Sequence, residues 1–286
     1  MSVIRNTRKA SKPNLKRGLV VAATLSIATL GLSACSSAES GNSAAGANSS
    51  SAEAAGSALD KDTLVIGFDN TFVPMGFDDN GETKGFDVDL AKAFAESIGK
   101  KVQFQNIDWN LKEAELNSGK IDAIWNGYSS SPERAEKVGL SNPYMNNQQV
   151  IMVMAESPVK TKADLNGKNV ATQAGSTGEE ALLADKDFTA GIQNGQPTAY
   201  PTYDQALRDL QVGRVDAIVG DAVLLKYYAK QQGADKFRVL DENFGDEEYV
   251  VGVRKNDTRL KEELNKFLEK ANSDGTLETI TKKWFN

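Results

Sequence analysis

Short β-branched runs alternate with stretches of helical period along most of the chain. Residues 64–67, 102–105 and 121–125 read as strands. Between them, residues 87–98 carry Leu90, Ala91, Phe94, Ala95 and Ile98 on one helical face, and a second helix is predicted near 111–118. The later chain repeats the theme, with strands near 150–154, 170–173 and 215–219 and helices near 177–184, 203–212 and 222–232. Strand, helix, strand in succession predicts an α/β fold of parallel or mixed sheets with right-handed crossovers.

One internal repeat sharpens the prediction. Leu116, Gly119, Ile121, Asp122 and Ile124 recur in the same order and spacing as Leu210, Gly213, Val215, Asp216 and Ile218. Each copy reads as a helix end, a glycine taking the left-handed conformation, and a buried strand. Two copies some ninety residues apart predict two lobes of similar design. Ligands of open α/β sheets sit beyond the carboxyl ends of the strands, so the residues that follow each copy are the candidates.

After the first copy come Asn126, Gly127, Ser129 and, beyond the cap and first-turn pair Ser131 and Pro132, Arg134. An arginine held there offers a planar fork to a carboxylate, or it pairs at the surface with Glu133 or Glu136. After the strand ending at Gln173, Gly175, Ser176 and Thr177 open a helix whose N–H groups and hydroxyls form an anion site or simply cap it. After the second copy comes Asp221, placed to meet an ammonium or to cap the next helix. Phe72 and Trp109 supply aromatic lining or core packing.

Composition narrows the chemistry. The 286 residues include no His and one Cys, Cys35, which excludes intramolecular disulfides, Ser/His/Asp triads and His-dependent metal sites. Neither a catalytic residue nor a cofactor nor a metal is expected. Residues 1–34 combine a basic start (Arg5, Arg8, Lys9, Lys12, Lys16, Arg17) with an apolar run at 18–34, the pattern of a cleaved export signal. The run ends Leu32, Ser33, Ala34, Cys35, which resembles the lipobox of bacterial lipoproteins and implies lipidation of Cys35. Residues 35–58, almost wholly Ser, Ala, Gly and Asn, read as a disordered tether. Removing six of the 33 basic residues and none of the 39 acidic ones leaves the mature chain at a net −12, a poor surface for nucleic acid.

Seven stretches carry a family resemblance: GFDNTFVPMGF (67–77), GFDVDLAKAF (85–94), GKIDAIWNGYSSSPERAEKV (119–138), SNPY (141–144), ATQAGSTGEE (171–180), GRVDAIVGD (213–221) and GTLETITKKW (275–284). In this order and spacing the chain resembles bacterial solute-binding protein family 3, the polar amino-acid-binding receptors of ABC importers. The resemblance implies a type II periplasmic-binding-protein-like fold. Lobe 1 would be formed by 59–147 and 246–286, lobe 2 by 148–245, with hinge crossings near 146–150 and 243–248. It implies that Arg134 and the Thr177 N–H hold a ligand carboxylate, helped by Ser176. Asp221, Ser129 and a carbonyl near Gly127 would hold its ammonium. Phe72 and Trp109 would flank the side chain, with Asp69, Asn70, Asn126 and Gln173 as polar contacts. Better-known members carry small residues at the position of Asn126 and often apolar ones at that of Gln173, so the side-chain preference does not carry over. The implied molecule is a monomer anchored outside the cell membrane by Cys35, delivering a polar amino acid to a membrane permease. The competing readings are a surface adhesin or sensor, and a dehydratase on the same fold.

Overall fold

A computed structural model describes residues 56–285 apart from 234; the export signal, Cys35 and most of the expected tether lie outside these residues. The first half comprises β1 (Thr63–Phe68), β2 (Thr71–Phe72), β3 (Gly76–Asp79), β4 (Glu82–Lys84), α1 (Phe86–Ser97), β5 (Lys101–Asn106), α2 (Lys112–Asn117), β6 (Ala123–Ser129), α3 (Pro132–Lys137) and β7 (Gly139–Leu140). A long strand β8 (Met145–Met154) leads into β9 (Val170–Gln173), α4 (Thr177–Ala184), α5 (Lys186–Gly191), β10 (Thr198–Tyr200), α6 (Tyr203–Gln211), β11 (Ala217–Asp221) and α7 (Ala222–Gln232). A second long strand, β12 (Phe237–Val253), returns the chain to α8 (Thr258–Ser273) and α9 (Thr276–Phe285).

Each half has the parallel core that its strand–helix rhythm predicts: β1 lies between β5 and β6, and β9 lies between β10 and β11. The halves are not separate sheets. Hydrogen bonds run through one path in the order β10-β9-β11-β8-β12-β6-β1-β5, with the two crossing strands in the middle. The early part of β12 pairs with β8 and its last residues pair with β6, both antiparallel. The two stretches expected to cross between lobes therefore face each other, Glu247 opposite Asn147 and Glu248 opposite Asn146.

The internal repeat has a shared structural purpose. Gly119 and Gly213 take φ of 79° and 73°, and each turns the chain from a helix end into a buried strand. The aspartate three residues on then clamps the neighbouring strand. Asp122 accepts from the Val65 N–H (3.1 Å) and Asp216 from the Asn169 N–H (2.8 Å), while each backbone N–H returns a bond to the same residue's carbonyl. Asp122 also holds Lys61 (2.6 Å) and Arg254 (2.9 Å), which ties the returning β12 to the first half.

Helix faces cover the sheet as their periodicity requires. Leu260, Leu264, Phe267, Leu268 and Ala271 of α8, and Tyr203, Ala206, Leu207 and Leu210 of α6, are buried. Each large apolar side chain so placed contributes about 1.5–3 kcal/mol. The folded part begins slightly earlier than composition suggested. Ser57 caps a short turn at Ala58–Asp60, Ala58 is buried, and Asp257 accepts from both the Ser57 hydroxyl and the Ala58 N–H. A distant carboxylate orders two residues that their own composition could not.

The two repeat aspartates should differ in weight. Asp122→Asn is expected to cost roughly 3 kcal/mol or more, because it leaves the buried Arg254 with a weakened partner. Asp216, whose side chain is 41% exposed and lies 3.7 Å from Lys168, should cost about 1 kcal/mol when changed to Asn. Urea denaturation of both variants measures the difference; equal costs would count against this assignment.

Candidate functional site

Ser131 accepts the Arg134 N–H (3.2 Å), with Pro132 in the first turn of α3, so the local sequence aims Arg134 as its cap pattern predicts. The guanidinium is not at the surface. It is 2% exposed and lies 4.6 Å from the centre of the Tyr128 ring, while Glu133 pairs instead with Lys137. Its donors reach the Ser129 carbonyl (3.0 Å) in its own half, and the Gly175 carbonyl (3.1 Å) and Glu180 (3.1 Å) in the other. Lys112, also buried, adds a second bond to the Gly175 carbonyl (2.7 Å). Burial, and then the Arg134 charge, pull the Lys112 ammonium down to about 8. Gly175 has φ of 71°, and a Cβ there would meet the Asn110 Cα at 2.9 Å, so only glycine lets the halves approach this closely.

Asp221 closes β11 and is 4% exposed. One of its oxygens accepts from Asn147 Nδ2 (2.5 Å) and the Tyr249 hydroxyl (2.8 Å). Burial, and then the nearby Glu247 charge, push the Asp221 carboxyl well above the usual carboxylate range. Glu247 joins the predicted residues into one network. Its Oε1 accepts from Ser129 Oγ (2.6 Å), Asn147 Nδ2 (2.5 Å) and Gln149 Nε2 (2.8 Å), and the same Gln149 amide donates to Thr177 Oγ1 (3.1 Å). Arg134 reaches this network through the Ser129 carbonyl. Arg134, Ser129, Thr177 and Asp221 thus converge from both halves.

A second bridge lies at Asp69. It is buried, accepts from the Thr71 N–H and hydroxyl, and takes a 2.7 Å bond from Gln173 Nε2 across the seam. Burial raises its carboxyl above the usual value, against the pull of those donors. Phe72 packs across the same seam, its ring 6.1 Å from that of Tyr203. Ser176 caps α4 by accepting the Glu179 N–H and donates to the Gln173 carbonyl.

Three candidates make their contacts within the first half. Asn126 is a brace, its Oδ1 accepting the Asp69 N–H (2.9 Å), which places Asp69 but leaves the amide inside the first half. The Asn70 amide bonds Asp78 within the small three-stranded sheet, because the chain turns there after β1. Trp109 packs edge-on to Tyr128 at 6.2 Å in an apolar cluster, one layer behind the guanidinium. Gly127 donates its N–H to Asp87 (2.6 Å), a fully enclosed carboxylate in the first turn of α1. Burial raises Asp87 to about 7, against the pull of that N–H.

Sequence reasoning passed over Lys112, Asn147, Gln149, Glu180 and Glu247. The sequence holds a partial signal for two of them, an unbroken run of amides at 146–149 opening an apolar strand. Only the structure shows that the alternate members, Asn147 and Gln149, are the buried ones.

A family model described as bacterial extracellular solute-binding proteins, family 3, matches residues 64–286. The L-cystine-binding protein TcyJ of Escherichia coli K12 is 32% identical over 232 residues, which cover 79% of this chain and 84% of that protein. A solved ABC uptake transporter substrate-binding protein from Streptococcus pneumoniae with bound histidine is 41% identical, with a TM-score of 0.77, covering 79% of this chain and 94% of that one. An ancestral arginine-binding protein bound to arginine is 38% identical, with a TM-score of 0.73, covering 79% and 99%.

Asp87 should write itself into the pH dependence of stability. Its folded pKa, about 7, lies above the ordinary aspartate value of 3.8, so its favourable contribution is complete below the lower value and is lost as pH rises through 7. Asp87→Asn should therefore gain on the native chain between pH 5 and pH 8, read as urea midpoints at both. A gap that does not change with pH would rule out this titration.

Proposed function

The chain belongs to family 3 of the bacterial extracellular solute-binding proteins, and we propose that it captures a polar amino acid between its halves for delivery to the permease of an ABC importer. The observation that carries this reading is the convergence of Arg134 and Asp221. A zwitterion needs a cation for its carboxylate and an anion for its ammonium, and here the two come from opposite halves and meet in one network.

Arg134, the Thr177 N–H at the start of α4 and the Ser176 turn take the carboxylate, with the helix N-terminus adding favourable dipole. Asp221 and Ser129 take the ammonium. Phe72, with Asp69 and Gln173 beside it, faces the side chain. One ligand that satisfies both ends favours the halves together over the halves apart, and that difference is what a transporter can read. The moving bodies are 59–147 with 246–286 against 148–245, hinged where β8 and β12 pair. Affinity in the micromolar range or tighter, about −8 kcal/mol or better, is expected.

The chain works as a monomer and does no chemistry on its cargo. Relatives such as those above are described as binding proteins. No helix among the described residues is long and apolar enough to cross a membrane. Attachment at the outer face of the membrane rests on the lipobox-like end of the export signal and on Cys35.

Calorimetry with L-arginine, L-histidine, L-glutamine and L-cystine tests the reading. The native chain should bind at least one of them. Arg134→Ala should lose at least roughly 3 kcal/mol, a hundredfold or more, because a desolvated carboxylate is left unpaired. Arg134→Lys should recover only part, keeping the charge without the fork. Unchanged affinity in Arg134→Ala would sink the carboxylate assignment.

A further inference from the structure

Glu247 stands in a stretch whose only expected role was to let the chain cross between halves. Its carboxylate nevertheless turns into the cluster, where a single amide nitrogen, Asn147 Nδ2, lies 2.5 Å from an oxygen of Glu247 and 2.5 Å from an oxygen of Asp221. Two carboxylates are thereby held side by side. Among the described residues, every hydrogen-bond partner of the pair is a neutral dipole: Ser129, Asn147, Gln149 and Tyr249. Among the described residues no lysine or arginine forms an ion pair with either carboxylate.

The same network holds a further unmet acceptor. Gln149 is 2% exposed and its Oε1 has no hydrogen-bond partner, although its Nε2 donates to Glu247 and Thr177. Two adjacent carboxyl groups without a counter-charge and a buried carbonyl without a donor are matched by one positively charged group with several N–H bonds. A primary ammonium has both properties.

We propose that Glu247 is a second carboxylate for the α-ammonium of the bound amino acid, acting beside Asp221. This rests on the amino-acid reading above and adds a residue and a consequence to it. Asp221 ends a strand of one half, whereas Glu247 lies on the crossing strand β12, directly opposite Asn147 of β8. An ammonium drawn to both carboxylates engages the hinge itself. Occupancy of the ammonium end is therefore coupled to the backbone that must bend for the halves to separate.

The test is a ligand-modification cycle by calorimetry on the native chain, Glu247→Gln and Glu247→Asp. It uses whichever of L-arginine, L-histidine, L-glutamine and L-cystine binds best, together with the α-deamino counterpart of that ligand at millimolar concentration. Glu247→Gln should weaken the amino acid roughly 10- to 100-fold, the range for a hydrogen bond to a charged group, and leave the deamino counterpart within about threefold. Glu247→Asp, which keeps the charge, should recover part of the loss. Melting curves without ligand establish that the variants fold. If the native chain binds none of the four, the amino-acid reading fails and this inference with it. If the native chain binds and Glu247→Gln binds equally or more tightly, the second-carboxylate role alone fails. A loss of the same size for the amino acid and its deamino counterpart would also overturn it, because Glu247 would then be acting on the side chain or on closure rather than on the ammonium.

Discussion

A guanidinium removed from water must be met by oxygen atoms, and Arg134 finds them on both sides of the seam between the halves. The end of β6, just before its own helix α3, supplies the Ser129 carbonyl, and the turn before α4 supplies the Gly175 carbonyl, with Glu180 beyond it. An arginine so enclosed costs several kcal/mol if any of these partners is withdrawn. The contact of the halves is thus set by where one buried cation can be satisfied. Gly175 belongs to the same constraint, since any side chain there would hold the halves apart.

The far end of the cluster has the opposite character. Asp221 and Glu247 are carboxyl groups held by amides and hydroxyls, with the basic side chains Arg134 and Lys112 on the other side. Under the proposed function, these two ends are the ones a zwitterion would complement. The fold explains how these groups meet. Ser129 and Asp221 end strands of different halves, Thr177 begins a helix just after another strand, and Glu247 lies where the crossing strands pair, so strand ends and crossings fall at one seam.

Much of this was readable from local pattern. The strands at β9 and the helices at α4 and α7 lie where apolar periodicity and turn residues put them, and the left-handed Gly119 and Gly213 follow from the repeat alone. The cap at Ser131 forms as its pattern predicts, because it needs only neighbours within three residues. Asn70, Asn126 and Trp109 were harder. A side chain after a strand can face the seam, the small sheet or the core, and only the packing of β3, Gly76 and Tyr128 around them decides which.

By itself, the order of apolar and polar residues determined the α/β rhythm, the twofold design and which polar residues follow the strand ends, because these depend on contacts within a few residues or on periodicity. The tertiary structure decided which polar groups share a network. Glu247 and Gln149 lie 98 residues apart, and Arg134 and Glu180 lie 46 apart. No local rule carries such a pairing. It arises when two long antiparallel strands bring the halves into register, and burial then obliges each charge to take the partner within reach.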